Sequence, residues 1–83
     1  MNWQLLVTKS AKKELARLPD RDQIRIERVL DEIRSDPFRG DIKRLGAPSW
    51  RRRSGSYRIF YDLLAERNLI VVTGIKRRTS TTY

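Results

Sequence analysis

A chain of 83 residues with 19 Lys and Arg against 10 Asp and Glu has room for one small core and carries a formal charge of +9. That balance favours a polyanionic partner, nucleic acid first and an acidic protein second. With neither cysteine nor histidine, disulfide staples and Cys/His metal sites are excluded, and a cytoplasmic protein is the economical reading.

The start, MNWQLLVTKS, has too short an apolar run for a signal-peptide core, and no stretch approaches the length of a membrane span. Within it, Trp3 to Val7 predicts an opening strand. Thr8 or Ser10 can then cap a helix over about residues 9–18, with Ala11, Leu15 and Leu18 on one face. Pro19 ends it, and Asp20 is expected to cap a second helix with Gln23 as its capping-box partner. In that helix Ile26, Val29, Leu30 and Ile33 follow the i, i+3, i+4, i+7 rule, so one stripe must face a core. The charges between them form a solvated face without a catalytic role. Asp36-Pro37 stops the helix, because a residue before proline disfavours the α region.

Turn formers (Gly40, Gly46, Pro48) then surround a short segment, DIKRL. Trp50–Arg53, the turn SGS, Tyr57–Leu64, a turn at 65–68 and Leu69–Ile75 complete the chain. The last run, LIVVTGI, is continuously apolar and predicts a strand covered on both faces. In Tyr57–Leu64, alternation puts Tyr57, Ile59, Tyr61 and Leu63 on one face and Arg58, Phe60 and Asp62 on the other. The order β-α-α-β-β-β implies an α+β fold, with two helices packed on one face of a small, mostly antiparallel sheet and the other face free to bind. The whole chain, 1–83, reads as a single domain.

Charge is concentrated in the sheet half. Residues 1–40 hold 9 basic and 7 acidic groups, whereas residues 41–83 hold 10 and 3. Solubility alone would account for a net charge of several units, but the asymmetry favours a binding face. Its centre is Trp50–Arg58, WRRRSGSYR. Three consecutive arginines do not pack in a core, since an unpaired buried charge is costly, and a hairpin turn brings Arg58 alongside them. Strand alternation turns Arg52 away from Arg51 and Arg53. Trp3 and Trp50 could stack a base, although aromatic residues in so small a protein are more often core, as is expected of Trp3, Tyr57 and Tyr61. Lys9, Lys12, Lys13 and Arg17 read as a solvated helix face.

The segments DIKRL, WRRRSGSYRIFYDLL and VVTGIKRRTSTTY together resemble the RelE/ParE superfamily of bacterial toxin–antitoxin toxins, and within it the RelE-like mRNA endoribonucleases. The resemblance covers the whole chain. It implies cleavage of mRNA in the ribosomal A site (on the 30S subunit), inhibition of translation, and a cognate antitoxin that forms a complex with the toxin and silences it. Position by position, Arg58 matches a strand arginine at the scissile phosphate, Arg77 a second arginine, and Tyr83 a catalytic tyrosine. Arg51 matches a basic residue of the hairpin strand, and Ser49 stands where a further lysine is expected. Lys43, Arg44, Arg53, Lys76 and Arg78 complete an expected RNA-binding set.

These residues permit metal-independent chemistry in which the RNA's own 2′-hydroxyl attacks the adjacent phosphate, and no metal or cofactor is expected. Arginines suit stabilisation of the phosphorane charge but, being always protonated, are poor bases. Proton transfer falls to Tyr83, whose phenol neighbouring cations would acidify. A ParE-like inhibitor of DNA gyrase that cuts nothing is the alternative, and a relative that only binds RNA or its antitoxin is a third.

Overall fold

The computed structural model describes residues 3–77. Strand β1 (Gln4–Val7) leads into helices α1 (Lys9–Ala16) and α2 (Asp20–Ser35), followed by β2 (Ile42–Gly46), β3 (Ser49–Ser54), β4 (Tyr57–Leu64) and β5 (Leu69–Arg77). The strands form one sheet in the order β1-β5-β4-β3-β2. β1 runs parallel to β5 and every other pair is antiparallel. The expected α+β arrangement is therefore present, with one strand more than the sequence order predicts. The DIKRL segment pairs with β3 as an edge strand, Lys43 opposite Arg51.

Local chemistry explains the helix boundaries. The Ala11 amide donates to Thr8 Oγ1 at 3.2 Å, so Thr8 caps α1. Asp20 does not cap α2, whose cap position is Pro19, without a side-chain hydrogen bond. Asp20 and Asp22 instead lie in the first turn, where the helix dipole favours carboxylates. Gln23 turns back and donates through Nε2 to the Leu18 carbonyl at 2.8 Å and to the Ala16 carbonyl at the end of α1 at 3.3 Å. It ties the two helices together where a capping box was expected.

Both helices cover the same face of the sheet. Ile26, Val29, Leu30 and Ile33 of α2 and Ala11 of α1 close over Tyr57, Ile59, Tyr61 and Leu63 of β4 and over Ile70, Val72 and Ile75 of β5. The β4 side chains alternate buried and half-buried along the whole strand. β5 departs from expectation in being covered on one face only: Ile70 and Val72 are buried, Val71 is half-buried and Thr73 is exposed. With both helices on one side, its outward residues are left on an uncovered surface.

Two backbone features set which side chains reach that surface. Gly55 (φ 59°) begins the two-residue β3–β4 loop, as a hairpin turn with glycine at its first central position requires. A β-bulge at Thr73 shifts the β4–β5 register: Tyr61 pairs with Val72, whereas Phe60 pairs with Gly74. An inserted residue reverses the facing of everything beyond it. Ile75 is thereby directed into the core and Lys76 out of it.

Candidate nucleic-acid interface

Residues opposite one another in a ladder share a face, so the register defines the open surface. Arg53 stands opposite Arg58, and Arg58 opposite Lys76. In the next row, Lys43 is opposite Arg51, Arg51 opposite Phe60, and Phe60 opposite Gly74. A third row holds Ser49, Asp62, Val71 and Leu6. The uncovered face thus has a cationic end, built on β2, β3 and β4, and an apolar end continued by Leu64 and Leu69.

The arginine side chains of the cationic end are partly enclosed. Arg51 and Arg53 make no ion pair among the described residues, and their Nε atoms are shielded from solvent without a hydrogen-bond partner there. Arg51, Arg53 and Arg58 are all half-buried, which limits their freedom before any ligand arrives. The nearby carboxylate, Asp62, accepts a hydrogen bond from Ser49 Oγ at 2.8 Å. Guanidinium groups spaced two residues apart along a strand, roughly 7 Å, suit bidentate capture of successive phosphates.

Lys76 is held differently. Its ammonium pairs with Glu14 of α1, whose other oxygen accepts the Ile75 amide at 2.8 Å. This carboxylate closes the β5 edge beyond the point where β1 ends. Burial alone would raise the Glu14 pKa, but the hydrogen bonds from Lys76 and Ile75, with the charges of Lys76 and Arg17, hold it below 4.5. Sequence reasoning missed this residue because its partners lie about sixty positions away, and no local pattern marks it.

Other expected residues fall outside the face. Arg52 is turned to the helix side, where its Nη2 meets Glu32 Oε1 at 2.6 Å, and the same guanidinium lies against Gly40 (φ 89°), leaving no room for a Cβ. Arg44 stands opposite Trp50, also on the helix side. Arg77 pairs with Tyr57, so the bulge brings Lys76, and not Arg77, level with Arg58. The expected union of Arg58 and Arg77 on one surface is not found. Arg78 and Tyr83 lie outside the described residues.

The tyrosines of β4 belong to the core. Tyr57 donates to Asp22 Oδ2 at 2.6 Å, and that hydrogen bond, with burial, raises its pKa. Tyr61 donates to the Pro37 carbonyl at 2.7 Å, and burial pushes its phenol up to about 12. Neither is suited to take a proton at neutral pH. Trp3 and Trp50 flank Phe38 edge-to-face, with centroids 6.2 and 5.8 Å from it, and both pack against the core. Among the described residues no group of three or more acidic side chains could hold a metal ion, and no helix is long and apolar enough to cross a membrane.

Comparison with known proteins agrees with this architecture. A family model described as the ParE toxin of the type II toxin–antitoxin system, parDE, matches residues 5–80. Among solved structures, the fold is similar to a chain of the RelBE2 toxin–antitoxin complex from Mycobacterium tuberculosis, at 23% identity and a TM-score of 0.85, covering 94% of this chain and 100% of that one. The archaeal RelE–RelB complex from Pyrococcus horikoshii OT3 gives 24% identity and 0.84, with coverage of 98% and 100%. The isolated E. coli RelE toxin gives 20% and 0.82, with coverage of 95% and 87%. Comparison with curated proteins yields no match.

Proposed function

The chain belongs to the ParE toxin family of type II toxin–antitoxin systems, within the RelE/ParE superfamily, and from that premise we propose that it is an endoribonuclease that cleaves mRNA in the ribosomal A site and so inhibits translation. The supporting observation is the cationic row Arg53–Arg58–Lys76, with Lys43 and Arg51 beside it, on the uncovered face of the sheet.

In the proposed reaction the 2′-oxygen attacks the adjacent phosphorus, the bond to the 5′-oxygen of the next nucleotide breaks, and that oxygen takes a proton from water, leaving a 2′,3′-cyclic phosphate and a 5′-hydroxyl. Arg58 and Arg51 stabilise the phosphorane oxygens by charge-assisted hydrogen bonds, and Arg53 and Lys43 hold flanking phosphates. Arg77, one residue beyond Lys76, serves as a cation at the rim. Tyr83 takes the 2′-hydroxyl proton, since Tyr57 and Tyr61 are committed to Asp22 and Pro37. A site with so little conventional acid–base chemistry relies on the ribosome to hold the substrate in line. Related structures hold RelE in complex with RelB, and a cognate antitoxin for this chain would be a small protein whose acidic segment meets the cationic face.

The test is to incubate the protein with programmed ribosomes and map mRNA ends. Cuts in the A-site codon are expected, and Arg58→Ala should abolish them while leaving the fold intact. A second reading, inhibition of DNA gyrase without cleavage, draws on the ParE description of the matching family model and on the absence of Arg77 from the Arg58 face. Intact mRNA together with blocked gyrase supercoiling would establish it in place of the first.

A further inference from the structure

Phe60 is the only aromatic residue that the register brings to the uncovered face among the described residues. It stands opposite Arg51 on β3 and Gly74 on β5, with Arg58 two residues away on the same strand. Neighbours across a ladder are roughly 5 Å apart, so the ring lies amid the arginines. Where a Cβ on Gly74 would stand, Phe60 Cδ2 is 3.6 Å away. Glu14 Oε1 at 3.7 Å and Lys76 Cε at 3.8 Å border the same point, so the glycine leaves room for the ring edge beside the Lys76 stem, and the ring remains half-buried and not sealed. The helices that bury every β4 side chain of the other parity do not cover it.

We infer that Phe60 is a base-stacking platform, set between Arg51 and Gly74 so that the face binds single-stranded RNA by a nucleobase as well as by its phosphates. This rests on the reading of the face as an RNA site. An aromatic surface beside a cationic track is the arrangement by which single strands are held without sequence readout, since every base offers a π-face. A base on Phe60 with its phosphate on Arg51 and Arg58 would fix one nucleotide by two different kinds of contact. Phe60 is then a positioning residue, which orients the sugar and takes no part in proton transfer. The competing account is that the ring only shields the glycine and the bulge at Thr73, whose hydroxyl donates to the Phe60 carbonyl at 3.3 Å.

The test compares a short single-stranded RNA with an oligomer of the same length and charge whose nucleotides lack bases. Phe60→Leu should weaken binding of the base-bearing RNA by about tenfold and leave the abasic oligomer unaffected. Phe60→Trp should retain affinity and show fluorescence quenching with the former only. Equal losses for both oligomers, or none for either, would overturn the inference. Should Phe60→Leu fold poorly, an unquenched Phe60→Trp overturns it independently. Arg53→Ala separates the two readings: if it weakens the abasic oligomer while Phe60→Leu does not discriminate, only the stacking role falls, and if the wild-type protein binds neither oligomer, both fall.

Discussion

Lys76 stands directly across the β4–β5 ladder from Arg58, while its neighbour Arg77 stands across from Tyr57. The cationic face accordingly ends in a lysine, already paired with Glu14, and the terminal arginine of the strand belongs to the helix side. Removing a phosphate-contacting cation lowers the salt dependence of RNA binding by about one unit of slope. Arg51→Ala, Arg53→Ala and Lys76→Ala should each do so. Arg44→Ala, on the reverse of the edge strand, should not, and Arg77→Ala should cost less than Lys76→Ala. Titrations of a short RNA at several salt concentrations check this ordering, and equal slopes for Arg44→Ala and Arg51→Ala would contradict the register argument.

Arg52 separates stability from binding within the arginine triplet. It is largely enclosed, paired with Glu32 at 2.6 Å and donating to the Arg39 carbonyl at 3.4 Å. Glu32 is itself half exposed, so the pair should contribute only about 1 kcal/mol. Arg52→Ala is expected to lower stability by about that amount in denaturant unfolding without altering RNA affinity. Arg51→Ala and Arg53→Ala should show the opposite. A triplet in which all three variants lost affinity equally would show that alternation does not decide function here.

Much of this molecule could be read in advance where a local period carries the information. The 2-residue alternation of Tyr57–Leu64 assigns the seven side chains from Tyr57 to Leu63 to the correct faces, and the stripe Ile26, Val29, Leu30, Ile33 marks the packed side of α2. The bulge was harder to see. Val72, Thr73 and Gly74 continue an apolar run, and only the isolated glycine within it hints at a break in the register. Because one inserted residue exchanges faces, Lys76 reaches the Arg58 face as expected, whereas Arg77 is carried to the other side. Contacts between distant segments, such as Glu14 with the β5 edge or Tyr57 with Asp22, depend on tertiary packing and leave no trace in composition or spacing. Alternation already places Phe60 on the face of Arg58, but its position opposite Gly74 depends on the bulged β5 register, which no local pattern gives.

Tyr61 should make the fold sensitive to alkali. Its phenol, ordinarily at 10.0, is pushed up to about 12 by burial, so the unfolded chain ionises first. The stability gained by keeping it neutral is complete below pH 10 and is lost as pH rises through about 12. Tyr61→Phe leaves the Pro37 carbonyl without its donor, at a cost of about 1–3 kcal/mol near neutrality, and it removes this titration. Melting temperatures measured from pH 9 to 12 should therefore fall less steeply in the variant than in the parent. Parallel curves would mean that the buried phenol does not govern alkaline unfolding.

Glu14 makes the corresponding claim at acid pH. Its carboxylate is depressed below 4.5 in the folded chain despite burial, because Lys76 and the Ile75 amide bind the charged form. The stabilisation is thus present above about pH 4.5 and is lost as pH falls through the lower folded value. Glu14→Gln keeps an acceptor for the Ile75 amide but forfeits the ion pair, a loss of about 1 kcal/mol or less given the exposure of Lys76. Glu14→Ala also orphans the Ile75 N–H, which adds about 1–3 kcal/mol. At pH 7 the order of stability should be parent, Gln, Ala, and on acidification the parent should converge on the Gln variant. Hydrogen exchange at Ile75 gives the local readout, accelerated in Glu14→Ala and nearly unchanged in Glu14→Gln. If the Gln variant exchanged as fast as the Ala variant, the carboxylate would be acting through Lys76 alone and not by closing the strand edge.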